Sequence, residues 1–238
     1  MPREVASISR PPVAAADRPS PELVIFDCDG VLIDSEIIMC RLVAEEMTRV
    51  GYPLDVDEVI RRFAGRPEPE MIADIEGDWG RPVPRDYFER IKPRTIEAYT
   101  AELRAIPHVK DVVETMRIAK CVASSSAPQK LELGLDLVGL HETFAPNIVS
   151  AAFVARGKPA PDVFIYAAGW LRAVTTACII VEDSLPGVRA ARAAGIRVFG
   201  FAGGSHCGSG HEEALVAAGA ETTFTDFRDL KRLLPEAF

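Results

Sequence analysis

Basic charge is in short supply in this 238-residue chain: 27 Lys and Arg stand against 35 Asp and Glu, a formal net charge of -8. That balance argues against a surface built for nucleic acid or an anionic membrane, which needs clustered cations. An anionic substrate remains admissible, but only through a local positive site or a metal. Long apolar runs are also missing, none reaching the roughly 20 residues of a bilayer-spanning helix. Residues 1–20 hold Arg3, Arg10, Arg18, Pro2, Pro11, Pro12 and Pro19 without a continuous apolar core. They lack the features of a secretory signal and read as a disordered tail.

Cysteine is scarce as well. Cys28, Cys40, Cys121, Cys178 and Cys207 are odd in number and show no paired metal-ligand spacing. Cys121 and Cys178 fall in apolar runs, where a free thiol acts as a small hydrophobe. A reduced, cytoplasmic setting accounts for them. No internal repeat is evident. The remaining composition, 48% hydrophobic and 26% charged, is that of an ordinary globular protein. The length allows one large domain or a core with a smaller insert.

What the chain does contain is organised around Phe26-Asp27-Cys28-Asp29-Gly30-Val31-Leu32-Ile33-Asp34-Ser35-Glu36. The apolar run before it reads as a buried strand over Glu22 to Cys28. Extended backbone would point Asp27 and Asp29 to the same side. Two acids so close are costly unless a cation intervenes or one keeps its proton. They can also be plain turn residues before Gly30.

From Ser35 a helical period runs to Val50 and closes at Gly51. Helices are expected over Asp57 to Phe63, Glu68 to Ile75 and Tyr87 to Leu103, with no clear strand among them: a small α-helical insert. After Pro107, short apolar strands alternate with helices: Lys120 to Ala123, Asn147 to Ser150, Cys178 to Val181, Ile196 to Phe201 and a weak Glu221 to Phe224. This alternation implies a doubly wound α/β fold, a parallel sheet covered on both faces. The expected division is a tail at 1–20, a core at 21–38 and 107–238, and a helical insert at 39–106.

Ligand sites in such sheets form beyond the carboxyl ends of the strands. There the sequence places Asp27 and Asp29, Ser124, and Glu182 with Asp183, while Lys158 precedes a helix. Singly, each has a bland reading: a strand-ending Ser or acid as a helix cap, a loop Lys as solvated charge. Together, hard oxygen ligands suited to Mg²⁺, a cation and a hydroxyl form a phosphoryl-transfer kit. One Asp can attack phosphorus, and the other can protonate the leaving oxygen.

The stretch from Phe26 to Glu36, Val122-Ala123-Ser124-Ser125-Ser126, Gly157-Lys158-Pro159-Ala160-Pro161-Asp162 and Val181-Glu182-Asp183-Ser184 together resemble, in order, the four motifs of the haloacid dehalogenase-like hydrolase superfamily. The resemblance implies a Rossmann-like core and makes Asp27 the nucleophile and Asp29 the acid/base. Mg²⁺ would be held by Asp27, the backbone oxygen of Asp29 and Asp183, with Glu182 supporting or joining them. Ser124, Ser125 and Lys158 would bind the phosphoryl group. The helical insert resembles the small cap of the β-phosphoglucomutase-like and sugar-phosphate phosphatase branch, with Arg66 in its substrate-recognition segment. Flexing near residues 36–40 and 104–108 would open and close that cap.

The implied activity is hydrolysis of a small phosphorylated sugar, sugar alcohol or sugar acid, with neither nucleic acid nor membrane as partner; no oligomeric state follows. Dehalogenases need no acid at the place of Asp29, and phosphonatase-like members use a supported cap lysine, whereas Lys92 stands before Pro93 alone. The β-phosphoglucomutase-type mutases are the nearer alternative, but they carry a histidine where this chain has Met39. A non-catalytic protein on the same fold is a further alternative, at odds with Asp27, Asp29, Ser124, Lys158 and Asp183 all being present. His206, Cys207 and His211, in the Gly203 to Gly210 run, are expected to form a loop at the site's rim rather than a transition-metal site.

Overall fold

The computed structural model describes residues 19–66 and 68–238, so nearly all of the tail expected at 1–20 lies outside the described residues. Leu23–Phe26 forms β1, and five helices precede the next strand: α1 Glu36–Val50, α2 Val56–Phe63, α3 Glu68–Trp79, α4 Tyr87–Glu102 and α5 Val109–Thr115. Strand β2, Ala119–Ser124, is followed by α6 Pro128–Leu137, α7 His141–Phe144, β3 Ile148–Ser150 and α8 Asp162–Trp170. Then come β4 Cys178–Glu182, α9 Leu185–Ala193, β5 Arg197–Phe201, α10 His211–Ala218, β6 Thr222–Phe224 and α11 Leu230–Leu233.

The six strands are all parallel, in the order β3-β2-β1-β4-β5-β6. Both faces are covered, as the unbroken apolar runs require. Val24 and Phe26 of β1 join Val122, Ile179 and Val181 on one face, against α1 and α5. Leu23 and Ile25 join Cys121, Cys178 and Ile180 on the other, against α8 and α9. Cys121 and Cys178 are thus buried free thiols. The strand order reverses direction between β1 and β4, whose carboxyl ends therefore open the crevice in which ligands of such sheets bind. No helix among the described residues is long and apolar enough to cross a membrane.

Four local departures from the sequence reading have physical causes. Strand β1 stops at Phe26, because the amides of Leu32 and Ile33 curl back to donate to the Cys28 carbonyl (2.9 and 3.1 Å). Gly30 makes this loop possible with φ +77°, and a Cβ there would lie 2.0 Å from Asp183 Oδ2. Asp27 and Asp29 therefore project from a loop, not from one face of an extended strand. Helix α3 runs past Ile75 to Trp79, whose indole packs on Tyr52 (5.5 Å between centroids) and under the Arg81 guanidinium. His141–Phe144, which the sequence reading assigned to no element, is a helical turn that seats Phe144 against Phe26 (5.8 Å).

Residues 36–40, expected to flex, are the first turn of α1, and the boundary placed after residue 38 falls inside that helix. The chain instead crosses into the helical segment and back on two extended segments joined by an antiparallel bridge. Ile33 bridges Ala105, Asp34 N donates to Arg104 O (2.9 Å), and Ile106 N donates to Leu32 O (3.0 Å).

Helices α1 and α4 are joined by a buried charge. Glu46 is 1% exposed, and its carboxylate accepts from Arg49 (2.6 and 2.9 Å) and Arg90 (2.7 Å), with Arg94 at 3.6 Å. The Arg49 hydrogen bonds hold this carboxyl below its ordinary value against the effect of burial. Glu46→Gln should cost about 2 kcal/mol, less than the usual loss for a broken buried pair because the arginines reach solvent. A depressed folded pKa stabilises above the unfolded value of 4.5 and ceases to do so as pH falls through the folded one. Denaturant melts should therefore show the variant's deficit in full at pH 7 and shrinking as pH falls below 4.5.

Candidate active site

Beyond the carboxyl ends of β1, β2 and β4 lies a cavity of about 810 Å³, closed on its far side by α1, α3 and α4. Its floor carries two separate ionic groups. In the first, Lys158 Nζ sits 2.7 Å from Glu182 Oε2, to which it donates, and 2.9 Å from Asp27 Oδ1. All three side chains are buried. Glu182, the last residue of β4, spends its other oxygen on Ser184, accepting from that residue's N and Oγ (3.0 and 2.7 Å). Its carboxyl lies where a side chain at Gly187 would stand: a Cβ there would be 2.0 Å from Cδ. Burial pushes the Asp27 carboxyl up to about 7, with Glu182 adding to the rise and Lys158 opposing it. Burial would lower the Lys158 ammonium, but Asp27 and Glu182 raise it above its ordinary range.

The second group surrounds Asp29. Ser35 Oγ donates to Oδ1 (2.6 Å), Ser126 Oγ donates to Oδ2 (2.5 Å), and Lys130 Nζ lies 3.1 Å from Oδ1. Burial alone would raise this carboxyl; Lys130 and the two hydroxyls bring it below the usual carboxylate range instead. The adjacent Glu36 carboxyl has no such cation in contact, and burial pushes it up to about 7. Two carboxylates two residues apart thus hold different cations and different proton affinities.

A third cluster backs the floor. Asp183 Oδ2 lies 2.9 Å from His206 Nε2, and the Asp183 carbonyl is 2.7 Å from His211 Nε2. Asp34 fastens the same loop, accepting from Ser205 N (3.0 Å) and from Ser205 Oγ. Cys207 Sγ is 3.5 Å from His206 Nε2. Burial would raise the Cys207 thiol, but hydrogen bonds to His206 and His211 draw it below its ordinary value.

Asp27, Glu182 and Asp183 each offer an oxygen within 4.8 Å of the others, and Asp183 Oδ1 is buried without a hydrogen-bond partner, while Asp27 Oδ1 meets the Lys158 ammonium. An all-oxygen, anionic set with an orphaned acceptor fits a hard divalent cation such as Mg²⁺.

The model of the haloacid dehalogenase-like hydrolase family matches residues 24–201, from the second residue of β1 to the end of β5. The chain belongs to that family. The 6-phosphogluconate phosphatase of Escherichia coli K12 is 29% identical over 213 residues, spanning 89% of this chain and 94% of the relative. A haloacid dehalogenase-like protein of unknown function from Agrobacterium tumefaciens is 35% identical with a TM-score of 0.84, over 91% of this chain and 98% of that one. A family hydrolase from Deinococcus radiodurans, solved with phosphate and sodium bound, is 29% identical with a TM-score of 0.75, over 91% and 96% of the two chains.

In this haloacid dehalogenase-like hydrolase, Asp27, Asp29, Ser124, Ser125, Lys158, Glu182 and Asp183 meet at the cavity floor, except that Glu182 lies just beneath it. Ser124 is buried and accepts from Ser126 N (3.1 Å), while Ser125 is exposed to the cavity. Arg66 lines the opposite wall, with its guanidinium on Asp74 (2.7 Å) and near Glu70 (3.5 Å) rather than on the floor carboxylates. Sequence reasoning missed Ser35, Ser126, Lys130 and the partner of Asp183. Ser35 reads as an N-cap, yet it makes no capping bond and gives its hydroxyl to Asp29. Lys130 carries no motif, and only its place on the first turn of α6, just past the serine motif, points to it.

Proposed function

We propose that this hydrolase is a Mg²⁺-dependent phosphatase acting on a small phosphomonoester, a sugar, sugar-alcohol or sugar-acid phosphate, through an aspartyl phosphate on Asp27. The observation that carries this reading is the split between the two aspartates: Asp27 faces Lys158, and Asp29 is held separately by Lys130 in the same cavity. An Asp27 oxygen attacks phosphorus as the P–O bond to the leaving group breaks. Once substrate has drawn Lys130 away, Asp29 takes a proton from solvent and gives it to the leaving oxygen; as a carboxylate it then takes one from the water that attacks phosphorus, breaking the P–O bond to Asp27. Lys158 and the Ser124–Ser125 turn hold the phosphoryl oxygens. Asp27, Asp183 and the backbone oxygen of Asp29, with Glu182 behind them, would hold Mg²⁺, which when bound neutralises phosphoryl charge.

Lys130 shapes the first half-reaction. At rest it keeps Asp29 ionised, and Asp29 can carry a proton only once that pair parts. The ammonium reaches into the cavity, so an anionic substrate group can draw it away. A sugar acid has such a group, which fits the 6-phosphogluconate phosphatase relative. Met39, also on the cavity wall, offers a thioether that cannot move protons, which favours hydrolysis over mutase chemistry.

Steady phosphate release from a panel of phosphometabolites, with sugar-acid phosphates among the best substrates, is the expected result with Mg²⁺. Chelation with EDTA should abolish it, and added Mg²⁺ should restore it. No turnover on the panel, together with conversion of β-glucose 1-phosphate to the 6-phosphate, would replace this reading with the mutase.

A further inference from the structure

We infer that His206, Cys207 and His211 form a second metal site, for a thiophilic divalent ion of the Zn²⁺ type, directly behind Asp183. The sequence reading took these residues for a plain rim loop; the fold brings them together. Each offers one ligand atom, and the three atoms lie within 4.8 Å of one another. The rings stand nearly perpendicular, with centroids 5.8 Å apart and the thiol between them in sequence. Two imidazoles and a thiol are the donors that Zn²⁺ selects over Mg²⁺, and a tetrahedral site separates such donors by about 3.5 Å. A contraction of no more than about 1.3 Å would close the set around an ion of that size.

A further feature points to a ligand here. His206 is 4% exposed, and its Nε2 stands between Cys207 Sγ at 3.5 Å and Asp183 Oδ2 at 2.9 Å, which puts a fourth donor at hand. Asp183 Oδ1 is buried without a hydrogen-bond partner and is left for the floor. One carboxylate can therefore serve both sites, one oxygen to each. Binding of the thiophilic ion releases the Cys207 thiol proton and the proton that His206 Nε2 holds against Asp183, and brings a second divalent charge against that carboxylate, weakening its hold on Mg²⁺. The site is thus an inhibitory one. The cysteines at 28, 40, 121 and 178 are buried, so Cys207 is the thiol within reach.

The test uses the full chain with Mg²⁺ in excess and Co²⁺ as the spectroscopic probe. About one equivalent of Co²⁺ should bind with a thiolate charge-transfer band, which Zn²⁺ then removes by displacement. Cys207→Ala should lose the band, and His211→Ala should bind Zn²⁺ more than about 100-fold more weakly, beyond the effect of losing an outer-shell partner. Stoichiometric Zn²⁺ should inhibit the native protein and spare Cys207→Ala, whose turnover without zinc should be unchanged. A native protein without the band, a band that persists in Cys207→Ala, or equal zinc inhibition of both proteins would overturn the site; the last would place zinc on the floor carboxylates.

Discussion

Asp27→Asn should lower kcat for phosphate release by on the order of 10⁴- to 10⁶-fold, the scale on which loss of a nucleophile acts in covalent mechanisms. The variant should nevertheless fold. Asp27 is buried beside Glu182, and its carboxyl rises to about 7, so the native charge is held in an unfavourable place. A neutral amide of the same shape relieves that repulsion, and Lys158 keeps its bond to Glu182. We expect the melting temperature to stay within a few degrees of native, since loss of the Asp27–Lys158 attraction and relief of the repulsion oppose each other. Acid-quenched turnover of the native protein should leave one phosphoryl group on the peptide containing Asp27. The same peptide from Asp27→Asn should carry none. Native turnover in this variant would remove the aspartyl phosphate from the mechanism, whatever the substrate.

The sheet was legible because buried parallel strands write themselves as continuous apolar runs, and Val24 to Phe26 and Ile179 to Val181 needed no pairing information to be found. Their register follows from the same pattern: Phe26 stands beside Val122 and Val181, which sets Asp27, Ser124 and Asp183 on one rim. The conformation at that rim was less legible. The loop after β1 curls because one carbonyl, that of Cys28, collects the returning amides, and such closure leaves little trace in hydropathy. Partner choice was less legible still. Ser35 has the residue type and position of a helix cap, and only the proximity of Asp29 diverts its hydroxyl. Lys130 and His206 are brought to the site by α6 and by the loop after β5, across 101 and 23 residues from the carboxylates they touch. Local sequence carries the acids and not the cations that divide their roles, which is why both aspartates were assigned while Asp29, expected to be free to carry a proton, is paired with Lys130 at rest.

Lys158→Met should have the second-largest effect, and its pH dependence separates charge from packing. Methionine nearly matches the length of the lysine stem, so the 5% exposed slot against Phe164 stays filled. The cation, however, is gone from between two buried carboxylates. Turnover should fall by on the order of 10² to 10³-fold, as when a fixed electrostatic contact to the reacting group is removed. Without metal, stability at pH 8 should fall by about 3–5 kcal/mol, the cost of leaving a buried charge unpaired. Both Asp27 and Glu182 are already raised above their ordinary values in the native protein, chiefly by burial, with Lys158 opposing the rise in each. Its removal lifts both further. An acid whose folded pKa is raised favours the folded state fully below its unfolded value, and that contribution is lost as pH climbs through the folded one. The deficit of Lys158→Met should therefore be small near pH 4, grow through pH 7 and be largest at pH 8. Mg²⁺ added at pH 8 should raise the variant's melting temperature more than the native protein's, because it supplies the cation the carboxylates lack. A deficit equal at pH 4 and pH 8 and indifferent to Mg²⁺ would mean that Lys158 acts by packing alone.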